Sequence, residues 1–405
     1  MNRLILVGNG FDLAHNLKTG YKDFIDNFWS EQIKSCTIDS QINSIANDYF
    51  YFDLDQPLPV EDNFKNYNQL KNLLKQKKVK INFDNKFLKM ISEAISTQNW
   101  VDIENEYYTE LSNVKTEKYP DYKIDRLNSD FNDIKKLLAD YLNRIDKKVT
   151  KNNSIFDKIY DRFYYQDLEE KKQLKLLEYI SKIFLRNFND IDLQNDISLE
   201  TNNLKKRVNE INEEGDDAKE FIKSKIDSLH TSSSKELFNL NPDKILFLNF
   251  NYTETIKIYE NKYKSETINI HGELNSLQNP IIFGFGDDVD KKYQEFEDLN
   301  DNKYLENFKS IAYLQTNSYK RLLEFINADE YQVFTFGHSC GISDRTMLNT
   351  IFEHENCKSI KPFYYKRKDG SDNYTDIVQT ISRNFNDKKK FRDRVVNKTY
   401  CQPLT

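Results

Sequence analysis

Glycine is scarce in this chain, at 10 of 405 residues, or about 2.5% against a usual ~7%. Proline (7) and cysteine (4) are also few. The cysteines, Cys36, Cys340, Cys357 and Cys401, are scattered and form no CxxC pair. That argues against a zinc ribbon and a disulfide framework, and for the cytosol. No apolar run approaches the ~18 residues of a membrane span. The apolar stretch in MNRLILVGNGFDLAH is too short for a signal peptide, so neither anchor nor leader is expected. The net charge of −6 gives no global attraction to nucleic acid or anionic membrane. HExxH and a P-loop GKS/GKT are both missing.

What is present is a helix-rich, aromatic chain. Charged residues at 31% and a mean hydropathy of −0.78 lean toward disorder, but an aromatic fraction of 14% does not fit a disordered chain. At about 150 residues per domain, the length predicts two to three structural units.

Because glycine is rare, its placement is informative. Gly8, Gly10, Gly272, Gly284, Gly286, Gly337 and Gly341 fall in four short segments, each beside a strand-like run. His15, His271 and His338 lie there too, three of the five histidines. Glycine permits positive φ and close backbone approach to a ligand, so the clustering suggests one composite site; ordinary strand–helix turns are the alternative.

The apolar runs predict strands at 3–8, 244–250, 267–272, 280–286, 331–337 and 359–365. Helices are predicted from about 18 to 29, through FLKMISEAI and WVDIENEYYTELSNV, from about 343 to 353 and from 374 to 385. Residues 36–83 read as mixed, with Pro57 and Pro59 marking a loop. Between Asp121 and Glu214 there is neither glycine nor proline in 94 residues, and apolar spacing predicts several helices, with one more at about 197–229 and a polar loop at 230–234. Strands alternating with helices predict a parallel α/β sheet that the N-terminal strand joins. The expected organisation is a discontinuous nucleotide-binding domain, 1–30 with 240–390, interrupted by a mainly helical insertion, 31–239, and followed by a tail, 391–405.

Four motifs carry the candidate chemistry. Gly8-Asn9-Gly10-Phe11-Asp12 follows a strand, with Asp12 where the next helix would start, and is a turn suited to phosphate; Leu13 at the third glycine position breaks the full dinucleotide fingerprint. Asn251, in LNFNYT at a strand end, either orients a ribose hydroxyl or water or caps the following helix. His271, in IHG, is a general base near neutral pH or a structural histidine. Gly337, Ser339 and Asp344, in FGHSCGISD, suit the ribose or adenine side of a nucleotide, with Ser343 or Asp344 also expected to cap the helix. Asp287 and Asp288 could bind a divalent metal or lie exposed in a polar loop.

LILVGNGFDLAHNLKTGYKDF, NWVDIE (99–104), LNFNYTETI and NIHGEL together resemble the AbiH family of bacterial abortive-infection proteins. More distantly, the motifs resemble sirtuin-like NAD-binding domains. The resemblance implies a sirtuin-like, Rossmann-type parallel sheet with a large helical insertion. It implies Gly8, Asn9, Gly10, Phe11, Asp12 and His15 at the phosphate turn. It also implies Asn251 as polar catalytic partner, His271 as base, and Gly337, Ser339 and Asp344 on the nucleotide side. Two departures stand out: Thr253 occupies an expected acidic position, and the zinc-binding cysteine pairs of protein deacylases are absent. Thr253 bears on how the ribose is oriented; the resemblances, with the cysteine pairs absent, imply an anti-phage effector that hydrolyses NAD to nicotinamide and ADP-ribose, with NAD as substrate, no prosthetic group and no metal. It would be cytoplasmic, a homo-oligomer, held silent until a phage-derived or companion-protein activator appears, with no membrane or nucleic-acid partner. The alternatives are a catalytically silent nucleotide sensor and a metal-dependent nuclease using Asp287 and Asp288.

Overall fold

The computed structural model describes residues 1–61, 64–97, 102–145, 148–173, 175, 241–288 and 290–405. In chain order they form β1 (Asn2–Val7), α1 (Asn9–Ala14), α2 (Tyr21–Cys36), α3 (Tyr67–Gln76), α4 (Lys86–Thr97), α5 (Ile103–Lys115), α6 (Ile124–Arg144) and α7 (Asn153–Tyr160). Then come β2 (Ile245–Asn249), β3 (Ser265–Asn269), α8 (Lys291–Glu297), α9 (Lys309–Ala312), α10 (Ser318–Ala328), β4 (Tyr331–Phe336), α11 (Arg345–Glu353), β5 (Cys357–Phe363), α12 (Tyr374–Arg383) and α13 (Lys388–Arg394). The predicted helix at 197–229 and loop at 230–234 lie outside the described residues, as does much of the run predicted helical after 160.

The protein is mixed α/β, built on a five-stranded parallel sheet in the order β5-β4-β1-β2-β3. The N-terminal strand is the central one. Leu4 pairs with Val333 on one side and Leu246 on the other. Side chains alternate between faces, as the strand repeat of two requires. Leu4, Leu6, Leu246 and Leu248 face one way, covered by Leu322 and Ile326 of α10 and Leu348 and Ile351 of α11. Ile5, Val7, Phe247 and Phe336 face the other, covered by Phe11 and by Ile155 and Ile159 of α7. Pro362 lacks an amide for a ladder, and β5 tolerates it at the edge of the sheet.

Helices α2 to α6 share a separate apolar core, centred on Trp29, Phe87, Tyr107 and Phe131. Phe131 stacks on Phe283 at 4.9 Å, which ties this core to the segment after β3. Two small antiparallel sheets of two- and three-residue strands lie between Thr37 and Phe83. Pro59, expected in a loop, pairs with Gln41 in one of them.

The expected strand at 280–286 is not one. Its backbone pairs piecemeal instead: Ile282 N–H donates to His271 O, Phe285 N–H to Asn307 O, and Lys309 N–H to Phe285 O. The run is apolar because Phe283 and Phe285 fill the helical core. The expected strand at 267–272 ends at Asn269, so His271 lies in the turn beyond it. Helix α1 begins at Asn9, which puts Asp12 inside the helix and out of contact with bulk solvent.

Candidate active site

The order of strands fixes where a site can form. The chain leaves β1 for β2 and β3 on one side, then crosses to β4 and β5 on the other. Ligands of open α/β sheets bind at such a reversal, outside the carboxyl ends of the strands. A cleft of about 720 Å³ opens there, and each strand contributes to it: Gly8 after β1, Asn251 after β2, His271 after β3, His338 after β4 and Tyr364 after β5.

The two glycine turns at the reversal fit together backbone to backbone. A Cβ on Gly8 would lie 2.5 Å from His338 Cα, and one on Gly337, at φ +68°, would lie 2.1 Å from Phe11 N. This packing occupies three amides of the turn. Gly8 N–H donates to Phe336 O, Gly10 N–H to Gly337 O, and Phe11 N–H to Gly8 O. Helix α1 has only six residues, so it contributes little dipole. The glycines here are explained by close approach of two loops.

His271 is held by its turn. Gly272 adopts φ +84°, and a Cβ there would strike Pro280 O at 2.1 Å. His271 Nε2 lies 3.1 Å from both Asp344 Oδ1 and Tyr313 Oη. Asp344 occupies the N-cap position of α11 but makes no side-chain cap bond there. The expected cap is absent because the carboxylate turns into the cleft, where Lys309 Nζ also donates to Oδ1 at 2.8 Å. Lys309 reaches Glu104 Oε2 at 2.8 Å as well, and Gly284 N–H donates to Glu104 Oε1 at 3.1 Å. Helix α5, capped by Asp102 through the amides of Glu104 and Asn105, thus delivers a carboxylate to a site built on the sheet.

Burial governs the protonation states. It pushes His271 below its ordinary value, helped by Lys309 and opposed by Asp344. His338 drops to about 4, through burial first and then through His271 and Lys309. Burial alone would raise Asp344, but Lys309 and the histidines outweigh it and hold the carboxyl well below the usual range. Glu104 is pushed up to about 8, by burial and then by Asp344 and Asp102, against Lys309. Lys309 itself stays charged: its two carboxylates overcome its burial. At neutral pH Lys309 and Asp344 form an ion pair beside a neutral histidine, and Glu104, which also holds Lys309, takes up a proton more readily than an ordinary carboxyl.

Asn251 is in the cleft and does not cap a helix; its Nδ2 donates to Gly8 O at 3.0 Å. Asn9, Gly10, Asp12, Ser339 and Asp344 also line the cleft. Phe11 and His15 are not among its lining residues. Phe11 is in the core, and the His15 ring nitrogens engage Phe11 O and Tyr259 Oη. Asp287 is not the exposed loop residue expected: it is buried, with Arg345 Nη1 3.2 Å from its Oδ2. Among the described residues no group of three or more His, Cys, Asp or Glu could hold a metal ion, and no helix is long and apolar enough to cross a membrane. The buried Cys340 thiol is raised above its ordinary value by burial, which makes it a poor nucleophile.

The family model described as "Bacteriophage abortive infection AbiH" matches residues 4–366. The chain belongs to the AbiH family. Membership gives it an anti-phage, abortive-infection role. No curated protein and no solved structure matches it.

The AbiH sequence motifs held more of the site than the four candidate motifs alone. Asp102 and Glu104 stand in NWVDIE, whose first residues, 99–101, lie outside the described residues. Lys309 and Tyr313 carried no signal: one lysine among 59 basic residues and one tyrosine among 25 cannot be singled out without the fold.

Proposed function

We propose that this AbiH-family protein acts in abortive infection by hydrolysing NAD to nicotinamide and ADP-ribose, on a sirtuin-like arrangement of the cleft. The observation that carries the proposal is the His271–Asp344 pair, 3.1 Å apart and open to a cleft that Asn251 also lines. Cleavage breaks the bond between C1′ and the pyridinium nitrogen. The ring leaves with the electron pair as neutral nicotinamide, so no acid is needed for departure. Water adds to C1′ and gives its proton to His271, which returns it to solvent. Asp344 orients the imidazole and stabilises its protonated form, and Asn251 positions the water or the ribose. Burial suits this use, because it leaves His271 neutral and able to accept. The carboxylates along the cleft suit a cationic ring. The segment 31–239 is the proposed control element, holding the effector silent in a homo-oligomer until a phage-derived or companion-protein activator arrives.

The test compares wild type with His271→Ala. Purified protein is incubated with NAD and the products are separated. Cellular NAD is followed with and without phage. Nicotinamide and ADP-ribose from wild type, with a loss of about two to four orders of magnitude in the variant, are expected. Unchanged NAD in infected cells that stop growing overturns the reading. Lys309 favours a second reading, a silent nucleotide sensor, since it neutralises the carboxylate that would stabilise an imidazolium. Tight NAD binding without turnover would support that reading.

A further inference from the structure

Gly341 is a glycine that the fold does not require. Its φ is −65°, which any residue adopts. A Cβ built on it would meet nothing closer than 3.5 Å, whereas a Cβ on any other glycine of the four strand-end segments would come within 2.8 Å of another backbone atom. Oxygens ring the side from which a side chain would project: Ser339 Oγ lies 3.5 Å from the Cβ position, Ser343 Oγ 3.8 Å and Asp102 Oδ2 3.9 Å. All three residues line the cleft, and Ser339 is exposed. Asp102 Oδ1 takes the two cap amides of α5, while Oδ2 and the two serine hydroxyls have no hydrogen-bond partner among the described residues. Burial raises the Asp102 carboxyl above its ordinary value, against Lys309 and the cap amides; a ligand N–H at Oδ2 would draw it down again. An ionised carboxylate only accepts, and a hydroxyl can donate. Together they match a group that carries N–H and C=O on one edge, a primary carboxamide. The constellation is one turn from the proposed reaction centre, since Asp344, which holds His271, donates its N–H to Gly341 O.

We infer that Asp102, Ser339 and Ser343 bind the carboxamide of the nicotinamide ring, which rests against Gly341. The amide N–H donates to Asp102 Oδ2, and a serine hydroxyl donates to the amide oxygen. The adenine edge offers similar groups, but two riboses and the diphosphate separate it from the reacting C1′. A specificity follows. A nicotinic acid ring places a carboxylate where the amide would be, so it lacks the donor and sets like charge against Asp102. The inference rests on reading the cleft as an NAD site, but it does not require turnover.

Calorimetric titration of the full chain tests it with two probes, NAD and nicotinic acid adenine dinucleotide, in the His271→Ala form if wild type consumes them. A hydrogen bond to a charged group corresponds to a factor of about 10–100 in affinity. NAD is expected to bind more tightly than the acid by about that factor. Asp102→Asn keeps a capping oxygen and replaces Oδ2 by a donor, so the preference should vanish or invert. Gly341→Ala has room for its methyl and should unfold like wild type, yet lose a similar factor for NAD. Equal affinity for the two dinucleotides, binding of neither, an unchanged preference in Asp102→Asn, or full NAD binding by Gly341→Ala overturns the inference. Should one variant not fold, the two-probe comparison on the parent chain decides. Preference for NAD without hydrolysis removes the hydrolase reading alone. Hydrolysis of both dinucleotides at equal rates, lost in His271→Ala, removes the carboxamide subsite alone.

Discussion

His271 Nε2 and Lys309 Nζ converge on a single oxygen, Asp344 Oδ1, at 3.1 and 2.8 Å. The lysine is completely buried and also holds Glu104. It is therefore the charge that lets two carboxyl groups from distant parts of the chain share an interior. Removing one member of a buried ion pair strands the other, at a cost of about 3–5 kcal/mol. Lys309→Met is expected to lose that much stability in urea unfolding. Lys309→Met combined with Glu104→Gln and Asp344→Asn is expected to recover much of it, because no uncompensated charge remains. If the single variant is as stable as wild type, the network does not hold the cleft together.

The raised value of Glu104 has a sign that can be checked. Its ordinary value is 4.5 and its folded value about 8, so between these the folded state binds more protons than the unfolded state. The stability that Glu104 contributes is complete below about pH 4.5 and falls as pH rises toward 8, by at most about 1.4 kcal/mol per pH unit. Asp344 runs the other way, its contribution present above the ordinary carboxylate range and lost on acidification. His271 and His338, both lowered from 6.5, add stability as pH rises toward 6.5, so unfolding free energies of wild type should decline between about pH 6.5 and pH 8, and Glu104→Gln should flatten that slope. Equal slopes would mean that Glu104 is ionised in the folded protein.

The sheet was legible because its strands are buried on both faces. RLILVG, KILFLNF and YQVFTFG are mostly apolar runs, and each contributed a strand of the parallel sheet. PIIFGFG carries the same signal and is not a strand. An apolar run reports burial, and here the burial is against helices, with Phe131 on Phe283 and Tyr108 on Phe285. Composition does not say which surface does the burying. The strand-end residues Asn251, His271 and Asp344 were likewise legible, since the ends of parallel strands converge at one edge. Glu104 and Lys309 were not. Their pairing spans 205 positions and depends on how α5 meets the turn before α9.

The two asparagines of LNFN have separate duties. Asn249 is buried and bonds through both ends: Nδ2 donates to Thr253 O and Asn269 Oδ1, and Oδ1 accepts from Asn251 N–H. Asn251 makes one side-chain bond, to Gly8 O, at the cleft wall. Asn249→Ala should cost about 1–3 kcal/mol by stranding these partners, whereas Asn251→Ala should cost less than about 1 kcal/mol and impair ligand handling instead. Paired chemical denaturation and NAD titration separate the two. Equal destabilisation would remove the division of labour.

Gly337 and Gly370 both have positive φ, +68° and +86°, but they differ in what surrounds them. Around Gly370 nothing lies within 4 Å of where an alanine methyl would sit, so Gly370→Ala costs only the backbone strain of the left-handed region, roughly 1–2 kcal/mol. At Gly337 the methyl would meet Phe11 N at 2.1 Å and Gly10 C at 2.3 Å. Those are backbone atoms that no rotamer change can move aside, so the β1 and β4 turns would have to separate. Gly337→Ala is expected to lose well over ~3 kcal/mol, beyond the range of ordinary point substitutions, and to yield little folded protein. Thermal unfolding of the two variants side by side checks this. A Gly337→Ala protein as stable as Gly370→Ala would show that the two turns at the centre of the cleft can part at little cost, and that the cleft is not a preformed rigid site.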